Sequence, residues 1–268
     1  MAAQKPVAFV TGASSGIGRL IATNLTAGGI AVAGFSRSGE ALGLGHAADE
    51  MTGLSGYAVD VTQPSEVQRV FAKAIADIGV PSLLVTCAGS AEALGPVASV
   101  DPDQWWQTVS VDLRGTMLCS QAVLPGMLAA GAGRIVTIYG NLGDDGRENL
   151  SAFAAAKAGV ARFTETLASE LVGSGVTAVC LHPGFVQTAM TEHLALSEAG
   201  RQWLPDFGPR ARDHWGDGTS AVALVKRLSH GEGDALHGRI IYAADDLDAL
   251  ATRAGVDASF RRLRVRGA

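Results

Sequence analysis

The sequence predicts an α/β fold, a doubly wound parallel sheet of seven strands in a single domain. Three observations carry this. Short apolar runs alternate with longer helical patterns along nearly the whole chain, and such alternation builds a parallel sheet with helices on both faces. The runs are apolar at almost every position, as strands covered on both faces require. No linker, internal repeat or change of composition divides the chain.

The elements follow in order. VAFV (7–10) is the first strand, closed by a glycine-rich turn, and Ile17 to Ala27 reads as a helix. IAVAGFS (30–36) and GYAVDV (56–61) are the second and third strands. A helix runs from Pro64 to Ile78, with proline in the first turn, where its missing N–H costs nothing. SLLVTCAG (82–89) is the fourth strand. A long helix extends from Pro102 to Ala130, with Asp101 as its cap. RIVTIY (134–139) is the fifth strand, followed by a polar loop and a helix from Ser151 to Val172. VTAVCLH (176–182) and GRIIYA (238–243) complete the sheet. The stretch from Thr191 to Trp215 is irregular and too long for a simple connection. A mobile lid over a ligand is expected there, spanning 188–216.

At 268 residues the chain is long enough for a sizeable core. A formal net charge of −5 gives no electrostatic case for nucleic acid or an anionic membrane. Cys87, Cys119 and Cys180 are odd in number and lie in apolar stretches. They read as buried free thiols of a reducing compartment, not as a disulfide set or a metal cluster. No secretory signal opens the chain and no apolar run reaches about 18 residues, so a cytoplasmic protein is expected.

The turn TGASSGIG, Thr11 to Gly18, has the chemistry of a phosphate cradle. Gly12 permits a tight turn. Gly16 and Gly18 let backbone approach a pyrophosphate and let the helix pack on the sheet. Ser14, Ser15 and Ile17 complete the stretch that presents N–H groups at the positive end of the helix. A glycine trio alone is weak, but one at the first strand–helix junction of such a sheet is strong. The end of the second strand reads Ser36-Arg37-Ser38, with no acid until Glu40. Arginine beside two hydroxyls suits a 2′-phosphate, which favours NADP(H) over NAD(H). Asp60, with Val61 beside it, is placed to accept from an adenine amino group or to cap the helix that follows.

TGASSGIG, Asp60, Cys87-Ala88-Gly89, RIVTIY, Lys157 and HPGFVQT together resemble the short-chain dehydrogenase/reductase family, over residues 5 to 245. The resemblance implies a Rossmann-type fold and an oxidoreductase acting on a small-molecule substrate. It also implies a homodimer or homotetramer packed through the helices 102–130 and 151–172. Ala88 and Gly89 would line the adenosine site, and Pro183, Gly184 and Thr188 would contact the nicotinamide. The family works with a serine, a tyrosine, a lysine and usually an asparagine. Only the lysine is kept, as Lys157. The tyrosine position is Phe153, the serine position Gly140 and the asparagine position Asp112.

A phenyl ring has no proton to give, so the acid must come from elsewhere or be unnecessary. The loop after the fifth strand offers Tyr139, Asn141, Asp144 and Asp145. Strand alternation points Tyr139 away from the nicotinamide unless the turn starts early. Asn141 could replace the serine's hydrogen bond. Asp144 and Asp145 could protonate or orient a basic substrate, or form an exposed turn. Asp112 could bond the Lys157 ammonium. Gly140, Phe153, Asp144 and Asp145 are the candidate substrate-pocket residues. Three readings stay open: an NADP(H)-dependent oxidoreductase acting on an activated C=N or C=O acceptor, a non-redox cyclase, isomerase or dehydratase on the same scaffold, and an inactive NADP(H)-binding protein.

Overall fold

The computed structural model describes residues 5–39, 53–140, 146–257 and 262. Seven strands form one parallel sheet: β1 (Val7–Thr11), β2 (Ala31–Ser36), β3 (Leu54–Ala58), β4 (Leu83–Thr86), β5 (Gly133–Ile138), β6 (Val176–His182) and β7 (Ile240–Tyr242). Their order is β3-β2-β1-β4-β5-β6-β7. The chain winds outward in one direction from β1 and then in the other from β4. This switch point opens a crevice at the carboxyl ends of the strands, where ligands of such sheets bind.

The helices are α1 (Gly16–Ala27), α2 (Pro64–Ile78), α3 (Pro102–Val109), α4 (Gly115–Ala130), α5 (Ser151–Glu170), α6 (Ala189–Leu196), α7 (Glu198–Trp203), α8 (Phe207–His214), α9 (Thr219–Ser229) and α10 (Leu247–Val256). Alternation along the strands divides the core between them. Val10, Val85, Val136 and Val179 pack with Ile21 and Leu25 of α1 and Val225 of α9. Phe9, Phe35, Leu84 and Ile135 pack on the other face with Phe71, Val123 and Leu167. Phe35 stacks on Phe71 with ring centroids 4.2 Å apart. Each such buried side chain stabilises the fold by about 1.5–3 kcal/mol.

Four features differ from the expectation. β3 ends at Ala58, not at residue 61, because Asp60 Oδ1 accepts from the Thr62 amide and hydroxyl and turns the chain. The long helix 102–130 is interrupted by a π turn over Ser110–Arg114. The stretch 191–215 is not irregular: most of it lies in the short helices α6, α7 and α8. Its pattern is hard to read because each helix is shorter than three turns and its apolar positions pack against Ala91, Leu150 and Phe153 rather than the sheet. Finally, α9 and α10 were not expected. Among the described residues no helix is long and apolar enough to cross a membrane.

Candidate active site

The glycine turn is fixed by close contacts. Gly12 has φ +67°, and a Cβ there would stand 2.9 Å from Ala88 N. A Cβ on Gly18 would stand 2.4 Å from Gly12 O. No side chain larger than hydrogen fits either position without moving backbone. Thr11 Oγ1 accepts from Ala88 N at 3.0 Å and ties the turn to the end of β4. The amino end of α1 has no acidic residue in its first turn, and Ser15, its N-cap, makes no side-chain capping bond. Its N–H groups and partial positive charge therefore remain for an outside anion. Arg37 and Ser38 are exposed at the end of β2. This cradle fits a dinucleotide: glycines where Cβ atoms would collide, an uncapped helix end, and a cation one strand away.

Thr188 closes the cradle from the opposite side. It caps α6 in a reciprocal pair with Thr191, and its methyl would lie 3.2 Å from a Cβ on Gly16, which has φ +53°. Pro183 is buried and Gly184 exposed, with φ +85°. His182 Nδ1 accepts from Gly184 N at 3.1 Å and sets the turn at this strand end. Asp60 does not cap α2, whose N-cap is Gln63 without a side-chain bond; its Oδ1 accepts from the Thr62 amide and hydroxyl instead, and Val61 is buried against Gly115.

Lys157 is the centre of the second half. It is 6% exposed, one of the few buried charges of the molecule. Its ammonium lies 3.1 Å from Asp112 Oδ2 and donates to the Ile138 carbonyl at 3.2 Å. Asp112 is 1% exposed and its Oδ1 accepts from Ser90 N at 2.6 Å. The π turn carries Asp112. One extra residue in the turn rotates the helix face, and such turns recur at functional sites. Gly159 lets α5 come down on Leu113, since a Cβ there would stand 2.7 Å from Leu113 Cδ2. That approach brings Lys157 within reach of Asp112. Burial pushes the Asp112 carboxyl above its usual range, and Lys157 together with the Ser90 amide opposes this. Cys87 is only partly buried, not buried as expected, whereas Cys119 and Cys180 are; desolvation pushes the Cys87 thiol up to about 12 against the opposing field of Lys157.

Phe153 is one helical turn before Lys157, and the ammonium sits 5.3 Å from its ring centroid. A Cβ on Gly140 would stand 3.4 Å from Phe153 Cε1 and 3.6 Å from Lys157 Cγ. Gly140, Phe153 and Lys157 therefore meet as their spacing predicts. The far side of Phe153 joins an apolar cluster of Ala91, Leu94, Leu150, Met190, Leu194, Leu204 and Phe207. Two bonds hold α7 and α8 to the β5–α5 connection: Arg147 with Asp206, and Asn149 Nδ2 to the Trp203 carbonyl at 2.9 Å. Sequence reasoning missed this cluster and both bonds. Arg147 and Asp206 are 59 residues apart, and nothing local pairs them.

Tyr139 is a correction. It is 1% exposed and packs with Val160, Ala161 and Cys180, edge-on to His182. It follows directly on β5, and alternation sets its side chain in that buried cluster, on the face opposite Ile138, and not open to a substrate as an acid must be. Asn141, Asp144 and Asp145 lie outside the described residues. Trp105 bonds Ser151 Oγ at 3.0 Å, a packing contact between α3 and α5.

A family model described as short chain dehydrogenase matches residues 6–199. A 2-dehydro-3-deoxy-L-rhamnonate dehydrogenase (NAD(+)) from Sphingomonas sp. (strain SKA58) is 35% identical over 191 residues, 71% of this chain and 76% of its own. The 3-oxoacyl-acyl-carrier-protein reductase FabG of Salmonella typhimurium is 31% identical over 243 residues, 90% of this chain and 97% of its own. Among solved structures, an actinorhodin polyketide ketoreductase with NADPH superposes with a TM-score of 0.78 at 28% identity, covering 90% of this chain and 97% of that one.

Proposed function

Because this chain belongs to the short-chain dehydrogenase family, we propose that it is an NADP(H)-dependent oxidoreductase whose acceptor arrives already activated, as a C=N or C=O group that needs no strong acid. The observation that carries this is the contact of Phe153 with Lys157 beside Gly140. A phenyl ring occupies the place of the proton donor, while the lysine and the cradle are kept. The named relatives include one with NAD(+) and one with NADPH, so the preference for NADP(H) rests on Arg37, Ser36 and Ser38 in this chain.

The cofactor, when bound, supplies a hydride from its nicotinamide ring. Gly12, Ser14, Ser15, Gly16, Ile17 and Gly18 hold the pyrophosphate through backbone N–H groups. Asp60, Val61, Ala88 and Gly89 bound the adenosine. Pro183, Gly184 and Thr188 flank the nicotinamide, and Lys157 holds its ribose. The apolar cluster around Phe153 excludes water from the substrate, with α6 to α8 as the lid. A ketone would gain a negative charge, and among the described residues no hydroxyl stands at the tyrosine or serine position to protonate it; general acid catalysis is typically worth about 10²–10⁴-fold. A charged acceptor takes a hydride and becomes neutral without a proton. The helices 102–130 and 151–172 are the faces on which a homodimer or homotetramer would form.

Calorimetric titration with NADPH and then NADH tests the cofactor half. Tight NADPH binding with weaker NADH binding is expected, and binding of neither overturns the proposal. Loss of NADPH absorbance with iminium salts but not with simple ketones is expected next. Equal rates on both classes would remove the role given to Phe153.

A further inference from the structure

Building on the proposed reduction of an activated acceptor, we infer that the pocket selects an apolar organic cation and that Asp112 sets this selectivity. The Asp112–Lys157 pair is 3.1 Å apart and almost wholly buried. Above the raised pKa of Asp112 the two groups hold one titratable proton between them and carry no net charge, wherever that proton sits. An amide at position 112 would leave one uncompensated ammonium under the substrate. A second cation several ångströms away would then be repelled by about tenfold or more in affinity at a protein-like dielectric. Asp112 removes that repulsion; its Oδ1 accepts from Ser90 N, and its Oδ2 is held by the Lys157 ammonium at 3.1 Å as an ion pair without a further hydrogen-bond partner among the described residues.

The walls fit the same ligand. The Phe153 ring already has an ammonium 5.3 Å from its centroid, and an aromatic face attracts cations through its quadrupole. Leu94, Met190 and Phe207 are partly buried, apolar, and belong to the same cluster as that ring. Asp206 is shared by two cations, Arg147 and, at 3.8 Å, Arg210. The reaction keeps the charge constant as well. An iminium that gains a hydride becomes a neutral amine, and the nicotinamide that loses it becomes a cation. One positive charge is present before and after, and no proton is consumed. A pocket whose buried pair is neutral tolerates that charge throughout.

The test uses two isosteres that cannot be reduced, benzyltrimethylammonium and the neutral neopentylbenzene, titrated into the NADPH-loaded protein and followed by tryptophan fluorescence. Asp112→Asn is expected to shift the ratio of cation to isostere affinity about tenfold toward the isostere. Lys157→Met is expected to shift it the other way. A purely structural role would weaken both ligands alike. An unchanged ratio in both variants overturns the inference, as does wild-type protein that binds the isostere and not the cation; the latter measurement decides if neither variant folds. Failure to bind NADPH would instead sink the proposed function itself, and the titration that loads the protein shows this first.

Discussion

A Cβ on Gly140 would stand 3.4 Å from Phe153 Cε1, an ordinary van der Waals separation. Gly140 has room for a Cβ against the Phe153 ring. Gly140→Ser with Phe153→Tyr should therefore fold and place a hydroxyl and a phenol beside Lys157. Ketone reduction by NADPH is expected to rise by about 10²–10⁴-fold over wild type. No gain in a double mutant that still binds NADPH would show that the site is not a disarmed carbonyl reductase.

Arg37 is exposed at the end of β2, and the proposed preference for NADP(H) rests on it. Arg37→Ala is expected to weaken NADPH by about 10- to 100-fold, the worth of charge-assisted hydrogen bonds. NADH affinity should stay as it was. Equal losses for both cofactors would mean that Arg37 acts on something other than the 2′-phosphate.

Gly18 has no room for a side chain, with Gly12 O only 2.4 Å from where a Cβ would be. Gly18→Ala should open the turn and cost about 1–3 kcal/mol of stability, as overpacking does. NADPH binding should be lost with it. Thermal unfolding and a cofactor titration on one sample check both parts, and wild-type values in either would refute the close-packing argument.

Asp112 makes stability depend on pH in a defined direction. Burial raises its folded pKa above the unfolded value, which is about 3.9. Its contribution is therefore fully present below that unfolded value and is lost as pH rises through the folded pKa. Asp112→Asn lacks this slope. Urea unfolding from pH 4 to 8 should show the advantage of wild type over the variant shrinking as pH rises. A difference that grows with pH would reverse the sign and place the carboxylate in a net favourable field.

The bonds Arg147–Asp206 and Asn149–Trp203 hold the helices α7 and α8, the lid of the proposed function. Asn149 has φ +64°, so Asn149→Gly removes the side chain and keeps the backbone. Combined with Arg147→Ala, it should speed proteolysis within 188–216 and leave the melting temperature nearly unchanged, because exposed ion pairs add little to stability. Unchanged proteolysis would show that these bonds do not hold the lid.

The sequence by itself determined what depends on near neighbours. The cradle is legible because Gly12, Gly16 and Gly18 act within one turn, and strand–helix alternation is legible because each period is local. The pairing of Phe153 with Lys157 follows from one turn of helix. Tertiary structure decided the rest. The strand register buried Tyr139 among Val160, Ala161 and Cys180. The π turn and the close approach at Gly159 brought Asp112 to Lys157 across 45 positions of sequence. Three short helices, too brief to show a period, turned Leu194, Leu204 and Phe207 toward Phe153. A contact between distant residues is set by packing the whole core, and no short stretch of sequence contains it.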